Sequence, residues 1–306
     1  MMRIRIALGL MALVAGTLAT SAVAQAAPAA APAVVAVDQA GWNSQKRRVT
    51  LPNGIELAYL ELGNPRGKPL LLLHGYTDSS RTWSLLVPYL DRYRLIIPDQ
   101  RGHGLSAAPD CCYGTIQLAE DARLLLDALT IERAAVAGHS MGSMVAIAFA
   151  ADRPERVERI VLIGSTALPP VRRGDWLWTN VAELKFPLDR DSKFLREWHP
   201  ANQPTPVDPV FAEAAMEEIL AIKPQVWRGV MRELADVPVA RHAADIKAPA
   251  LILSGGADPL FPPEHHQALV KAIPGSTGHV YPGLGHNPLW EQPQDVAHRI
   301  SEFLER

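Results

Sequence analysis

Missing from this chain are an excess of charge of one sign, separated cysteine pairs and an apolar run of membrane-spanning length. The 30 Lys and Arg are balanced by 32 Asp and Glu, for a formal net charge of −2. That balance excludes the basic footprint of a nucleic-acid binder. The 306 residues hold only two cysteines, and these are neighbours, Cys111 and Cys112. Adjacent cysteines close only a strained eight-membered ring, so the plain reading is two thiols in a loop, with a vicinal disulfide as the alternative in an exported protein. No metal-ligand cluster and no phosphate-cradling Gly loop is present, so neither a metal nor a cofactor is expected. There is no internal repeat.

The amino terminus reads differently from the rest. Arg3 and Arg5 precede an apolar run from Ile6 to about Ala19, and Ser21-Ala22-Val23-Ala24-Gln25-Ala26-Ala27 follows. A basic, then apolar, then A-x-A order is that of a signal peptide, here 1–26. The apolar run is short of the roughly 20 residues a membrane span prefers. The protein is therefore expected to be exported, periplasmic or secreted, with no stable membrane span after cleavage. The Ala/Pro-rich continuation leads into the mature chain, and 27–45 reads as a flexible leader.

Beyond it, Pro52-Asn53-Gly54 separates two strand-like runs, 46–51 and 54–62, as in a hairpin. Continuous apolar runs at 69–73, 94–97, 134–137, 159–164 and 248–254 suit strands buried on both faces of a parallel sheet, with a last short one at 278–281. Helical segments alternate with them at 83–90, 115–129, 141–151, 264–272 and 293–305. In the second of these, Ile116, Leu118, Ala122, Leu125 and Leu129 share one side. In the last, Val296, Ile300 and Phe303 face inward. This alternation predicts an α/β fold, a mostly parallel doubly wound sheet with helices on both faces. Between 167 and 246 the strands stop. Pro169-Pro170 is followed by helical stretches near 176–184, 191–198, 209–222 and 224–234. The expected division is a core of 46–166 and 247–306 interrupted by a helical lid, 167–246.

The strand-like run 134–137 leads into Gly138-His139-Ser140-Met141-Gly142 and then a helix. In that context G-x-S-x-G is a nucleophile elbow, with glycines two residues to either side of a serine on a sharp turn. A serine hydroxyl needs a base, an orienting acid and a place for the oxyanion. On such sheets the chain order is Ser, acid, His. Asp258 lies in Gly255-Gly256-Ala257-Asp258-Pro259, just past a buried strand, whereas Ser165-Thr166 after the preceding strand offers no carboxylate. His286 lies in Gly283-Leu284-Gly285-His286-Asn287-Pro288, a loop between the last strand and the last helix. Of the other histidines, His265 and His266 read as solvated beside Asp258, and His139 as a packing residue in the elbow's variable slot. Two backbone amides are expected to hold the oxyanion: that of Met141, at the start of the helix, and that of Tyr76, after His74-Gly75, with Thr77 as the alternative.

Together these motifs resemble the α/β-hydrolase superfamily, in its single-lid branch of esterases, lactonases, C–C hydrolases and cofactor-free haloperoxidase-like proteins. The carrying residues are His74-Gly75, Asp99-Gln100-Arg101-Gly102-His103-Gly104-Leu105-Ser106, the elbow, Gly256-Ala257-Asp258 and Gly285-His286, with Glu291-Gln292-Pro293 after them. The branch's dehalogenases and epoxide hydrolases use aspartate as nucleophile, and Ser140 argues against both. The resemblance implies acyl transfer by Ser140, His286 and Asp258. The first expectation is an esterase acting on small to medium apolar esters. A lactonase opening acyl-lactones or macrolactones and a haloperoxidase/perhydrolase-like enzyme share the same residues. A non-catalytic binding protein has no need of a base.

Aromatic residues crowd the lid: Trp176, Trp178, Phe186, Phe194, Trp198, Phe211 and Trp227. Most are expected to form the lid's own core. Substrate contacts are expected from Tyr76, Trp83, His139, Trp176 and Trp178. The partner implied is a small-molecule ester or lactone, and the chain is read as a monomer or homodimer.

Overall fold

The computed structural model describes residues 37–306. The signal-peptide reading and the leader up to residue 36 lie outside the described residues. In chain order the elements are β1 (Arg47–Thr50), β2 (Glu56–Gly63), β3 (Pro69–Leu73), β4 (Arg94–Pro98), α1 (Thr115–Ala128), β5 (Ala134–His139), α2 (Met141–Asp152) and β6 (Val157–Ile163). Five helices follow without a strand: α3 (Trp176–Glu183), α4 (Lys193–Trp198), α5 (Pro209–Leu220), α6 (Pro224–Asp236) and α7 (Val239–Ala244). Then come β7 (Ala250–Gly255), α8 (Pro263–Ala272), β8 (Thr277–Tyr281), α9 (Pro288–Glu291) and α10 (Pro293–Leu304). The sheet has eight strands in the order β1-β2-β4-β3-β5-β6-β7-β8. β1, β2 and β4 pair antiparallel, and every pairing from β4 to β8 is parallel.

Side chains alternate across a strand, and here both sides are apolar. Leu71, Leu73, Ile96, Val136, Ile160, Leu162 and Ile252 face α1, α2 and part of the helical insertion. Leu70, Leu72, Leu95, Ile97, Ala137, Val161, Ile163 and Leu253 face the side closed by α10. This is why β3, β5 and β7 read as unbroken apolar runs. Helix α2 is buried at every position from Met141 to Ala150, because it packs on the sheet and is flanked by α1 and α7; a helix apolar all round belongs in such a place.

Several expectations need correction. Residues 37–45 are not a free leader: Gln39 and Trp42 are buried, the Gln39 amide donates to Ser84 at 2.9 Å, and the Trp42 indole N–H donates to Ser80 at 3.2 Å. The helix expected at 83–90 is two 3₁₀ turns, Ser80–Trp83 and Val87–Tyr89. The first of them places Trp83 in the same buried cluster as Leu70 and Leu72, fully buried. Ile116, expected to face inward, is 51% exposed; it sits in the first turn of α1, beyond the edge of the buried stripe. Cys111 and Cys112 are joined to each other. Among the described residues, no helix is long and apolar enough to cross a membrane.

Candidate active site

Ser140 stands between β5 and α2 with φ 51° and ψ −120°, a left-handed conformation that is strained for a residue with a side chain. The turn is held by the Ser140 amide donating to the Ile163 carbonyl at 2.9 Å and by the Ser143 hydroxyl donating to the Ser140 carbonyl at 2.5 Å. Glycine is required on both sides. A Cβ on Gly138 would collide with the Gly142 backbone, and one on Gly142 with the carbonyl oxygens of Leu73 and His74.

The sheet brings two distant loops to this turn. The loop after β8 places His286 Nε2 2.8 Å from Ser140 Oγ. The loop after β7 places Asp258 Oδ2 2.7 Å from His286 Nδ1. The other Asp258 oxygen accepts the amides of Leu260 at 2.8 Å and Phe261 at 2.9 Å. Burial pushes the Asp258 pKa up, but the charge and hydrogen bond of His286 and these two amides outweigh it, and the net shift is below the usual carboxylate value. An ionised Asp258 fixes the proton on Nδ1 and leaves the Nε2 lone pair facing the serine. All three residues lie at carboxyl ends of parallel strands, where open α/β sheets gather their sites.

Among the described residues, no backbone hydrogen bond outside the helices and strands uses the Tyr76 or Met141 amide as donor. Tyr76 is held from the far side, its hydroxyl donating to the Trp227 carbonyl of α6 at 2.7 Å. Thr77, with φ 64°, accepts the Trp198 indole N–H at 2.8 Å. The helical insertion thus grips the loop after β3 twice.

The serine opens into a cavity of about 240 Å³ lined by residues of that loop, the elbow, the insertion and the loops after β7 and β8. Of the expected contact residues, Tyr76, His139 and Trp176 line it. Trp83 and Trp178 do not. Trp83 is committed to the core beneath the sheet. Trp178 is two residues from Trp176 on α3, about 200° around the helix, and stacks under the Arg173 guanidinium at 5.5 Å. The sequence reading missed Asp78, Phe261 and Trp290 in the lining. It also left Glu291 without a role. That carboxylate is buried and accepts the Gly285 amide at 2.7 Å, the Thr205 amide at 3.1 Å and the Thr205 hydroxyl at 2.7 Å. His265 and His266 are not free in solvent: their Nδ1 atoms lie 2.7 Å from the Thr166 hydroxyl and 2.9 Å from the Ser254 hydroxyl. Among the described residues, no group of three His, Cys, Asp or Glu could hold a metal ion.

Residues 68–293 match the family described as alpha/beta hydrolase fold, and the chain belongs to that family. It is 28% identical over 269 residues to a protein named lipase 1 of Psychrobacter immobilis, covering 84% of this chain and 83% of that one. It is 31% identical over 281 residues to a dihydrolipoyllysine-residue acetyltransferase component of an acetoin cleaving system of Pseudomonas putida, covering 88% of this chain and 71% of that one. A solved thermophilic esterase of Thermogutta terrifontis superposes with a TM-score of 0.71 at 28% identity, over 85% of this chain and 98% of that one.

Proposed function

We propose that the protein is an exported serine hydrolase that cleaves carboxylic esters carrying small to medium apolar groups through an acyl-enzyme. The observation that carries this reading is the unbroken chain Asp258–His286–Ser140, with contacts of 2.7 Å and 2.8 Å, at the base of a cavity whose wall includes Tyr76, Trp176, Trp198, Phe261 and Trp290. His286 takes the Ser140 proton as Oγ attacks the ester carbonyl, Asp258 stabilises the imidazolium, and the amides of Tyr76 and Met141 receive the oxyanion. His286 then gives the proton to the leaving alcohol. Water, activated by the same nitrogen, releases the acid. Each oxyanion donor is worth about 10²–10³ in kcat in enzymes of this kind. A cavity of about 240 Å³ falls just below the roughly 300–1,000 Å³ typical of ligand pockets, which favours short groups. The lipase and esterase relatives support ester cleavage, and the Arg3–Ala27 pattern supports export. The insertion, 167–246, serves as the lid and contributes Trp176 and Trp198 to the cavity wall.

The test is the specificity constant for p-nitrophenyl butyrate against a panel of lactones of similar size. The esterase reading expects the aryl ester to be preferred. A lactone turned over far faster than the aryl ester would move the assignment to a lactonase with the same residues.

A further inference from the structure

The cavity above Ser140 is lined by two carboxylates, Asp78 and Glu197, and by neither a lysine nor an arginine. Glu197 is 41% exposed and lies 3.8 Å from the Lys193 ammonium, so solvent and a counter-charge mute it. Asp78 is placed differently. Its side chain is 11% exposed, and it flanks the nucleophile: a Cβ added to Gly75 would stand 2.8 Å from Asp78 Oδ2 and 3.2 Å from Ser140 Cβ. The basic group within ion-pair distance is His139, whose Nδ1 is 3.5 Å away. Burial holds that imidazole below its ordinary pKa, so it brings no full positive charge at neutral pH. Arg81, three residues further along the chain, pairs with Glu218, and Lys46 pairs with Asp99. Five aromatic rings also line the wall: Tyr76, Trp176, Trp198, Phe261 and Trp290.

We propose that Asp78 acts as a charge filter on the substrate, admitting esters that are neutral or cationic beside Ser140 and rejecting those that carry a second carboxylate there. An anionic group entering this cavity meets a largely dehydrated carboxylate with no lysine or arginine among the described lining residues to offset it, and repulsion is strongest where water is scarce. A quaternary ammonium gains twice, from the Asp78 charge and from the faces of the aromatic rings. Asp78 takes no part in proton transfer; it sets which ester is bound. The inference rests on the hydrolase reading above and names the substrate class of the same site.

The experiment compares kcat/KM within matched ester pairs on one enzyme preparation, so that any misfolded fraction cancels from each ratio. On the acyl side the pair is p-nitrophenyl butyrate and p-nitrophenyl hemisuccinate. On the alcohol side the matched set is the neutral 3,3-dimethylbutyl butyrate, the cationic butyrylcholine and the anionic butyrate ester of glycolic acid. The wild type is expected to disfavour the anionic ester by at least about tenfold on one side or the other, with the cationic ester at or above its neutral isostere. Asp78→Asn is expected to bring the anionic ester to within about threefold of the neutral one and to lower the cationic preference; Asp78→Ala serves if the asparagine variant does not fold. Equal wild-type rates across both sets, or a discrimination that persists in Asp78→Asn, overturns the filter. Absence of p-nitrophenyl butyrate turnover in the wild type is a separate outcome: the hydrolase reading then fails, and the filter with it.

Discussion

His74, directly after β3, is fully buried, and both of its ring nitrogens are engaged. Nε2 accepts the Gln100 amide at 2.8 Å, so the proton sits on Nδ1 and is donated to the Gly75 carbonyl at 2.8 Å. A second proton would set N–H against N–H. Burial first, and the neighbouring His103 second, hold the pKa down to about 3 from 6.5. In the unfolded chain the ring titrates near 6.5. Between those values the unfolded state takes up a proton that the native state refuses. Stability from this group is therefore complete above about pH 6.5 and is lost progressively as the pH falls toward 3. By pH 5 the loss is about 2 kcal/mol. His74→Gln keeps an acceptor for the Gln100 amide and removes the titration. Urea unfolding at pH 7.5 and pH 5 measures the difference: the wild type should lose about 2 kcal/mol more than the variant. Equal losses in the two proteins would refute the neutral, buried ring and with it the bonding that shapes the loop carrying Tyr76.

Two further substitutions bear on the site. Glu291→Gln sets an NH₂ group against one or more of the three donors from Gly285 and Thr205, and should cost about 1–3 kcal/mol of stability. Because the His286 loop is loosened, kcat should fall while KM moves little; an unchanged kcat would make the clamp irrelevant to His286. Gly142→Ala drives a methyl group into the carbonyl oxygens of Leu73 and His74. It should lower the melting temperature and abolish p-nitrophenyl butyrate turnover, whereas normal activity would mean that the elbow tolerates a displaced α2.

The parallel strands were legible because burial on both faces leaves an unbroken apolar run, as in Leu70–Leu73 and Leu251–Leu253. The glycines around Ser140 and the Gly-rich loops around Asp258 and His286 were legible because turns at strand ends demand them, and the structure places both Asp258 and Ser140 within hydrogen-bonding distance of His286. What stayed hidden depends on relations between elements. Trp176 and Trp178 are both aromatic and two residues apart, and only the seating of α3 decides which one sees the cavity. Trp83 follows the same rule: a 3₁₀ turn in place of a helix points its ring into the core. Gln39 and Trp42 follow directly on the Ala/Pro-rich segment, yet they dock on Ser84 and Ser80, contacts between residues about forty positions apart. Asp78 gains its meaning from β3 lying beside β5 in the sheet, which brings Gly75 against Ser140. Glu291 gains its own from Thr205, a residue of the insertion.

Covalent capture reports on whether Ser140 is the nucleophile, made reactive by His286 and Asp258. Treating the protein with a fluorophosphonate and mapping the adduct by peptide mass spectrometry should place one phosphonyl group on the peptide containing Ser140. His286→Ala should slow the labelling by several orders of magnitude, and Ser140→Ala should abolish it together with ester turnover. A label on another residue, or a Ser140→Ala protein that still hydrolyses p-nitrophenyl butyrate at the wild-type rate, would mean that Ser140 is not the nucleophile.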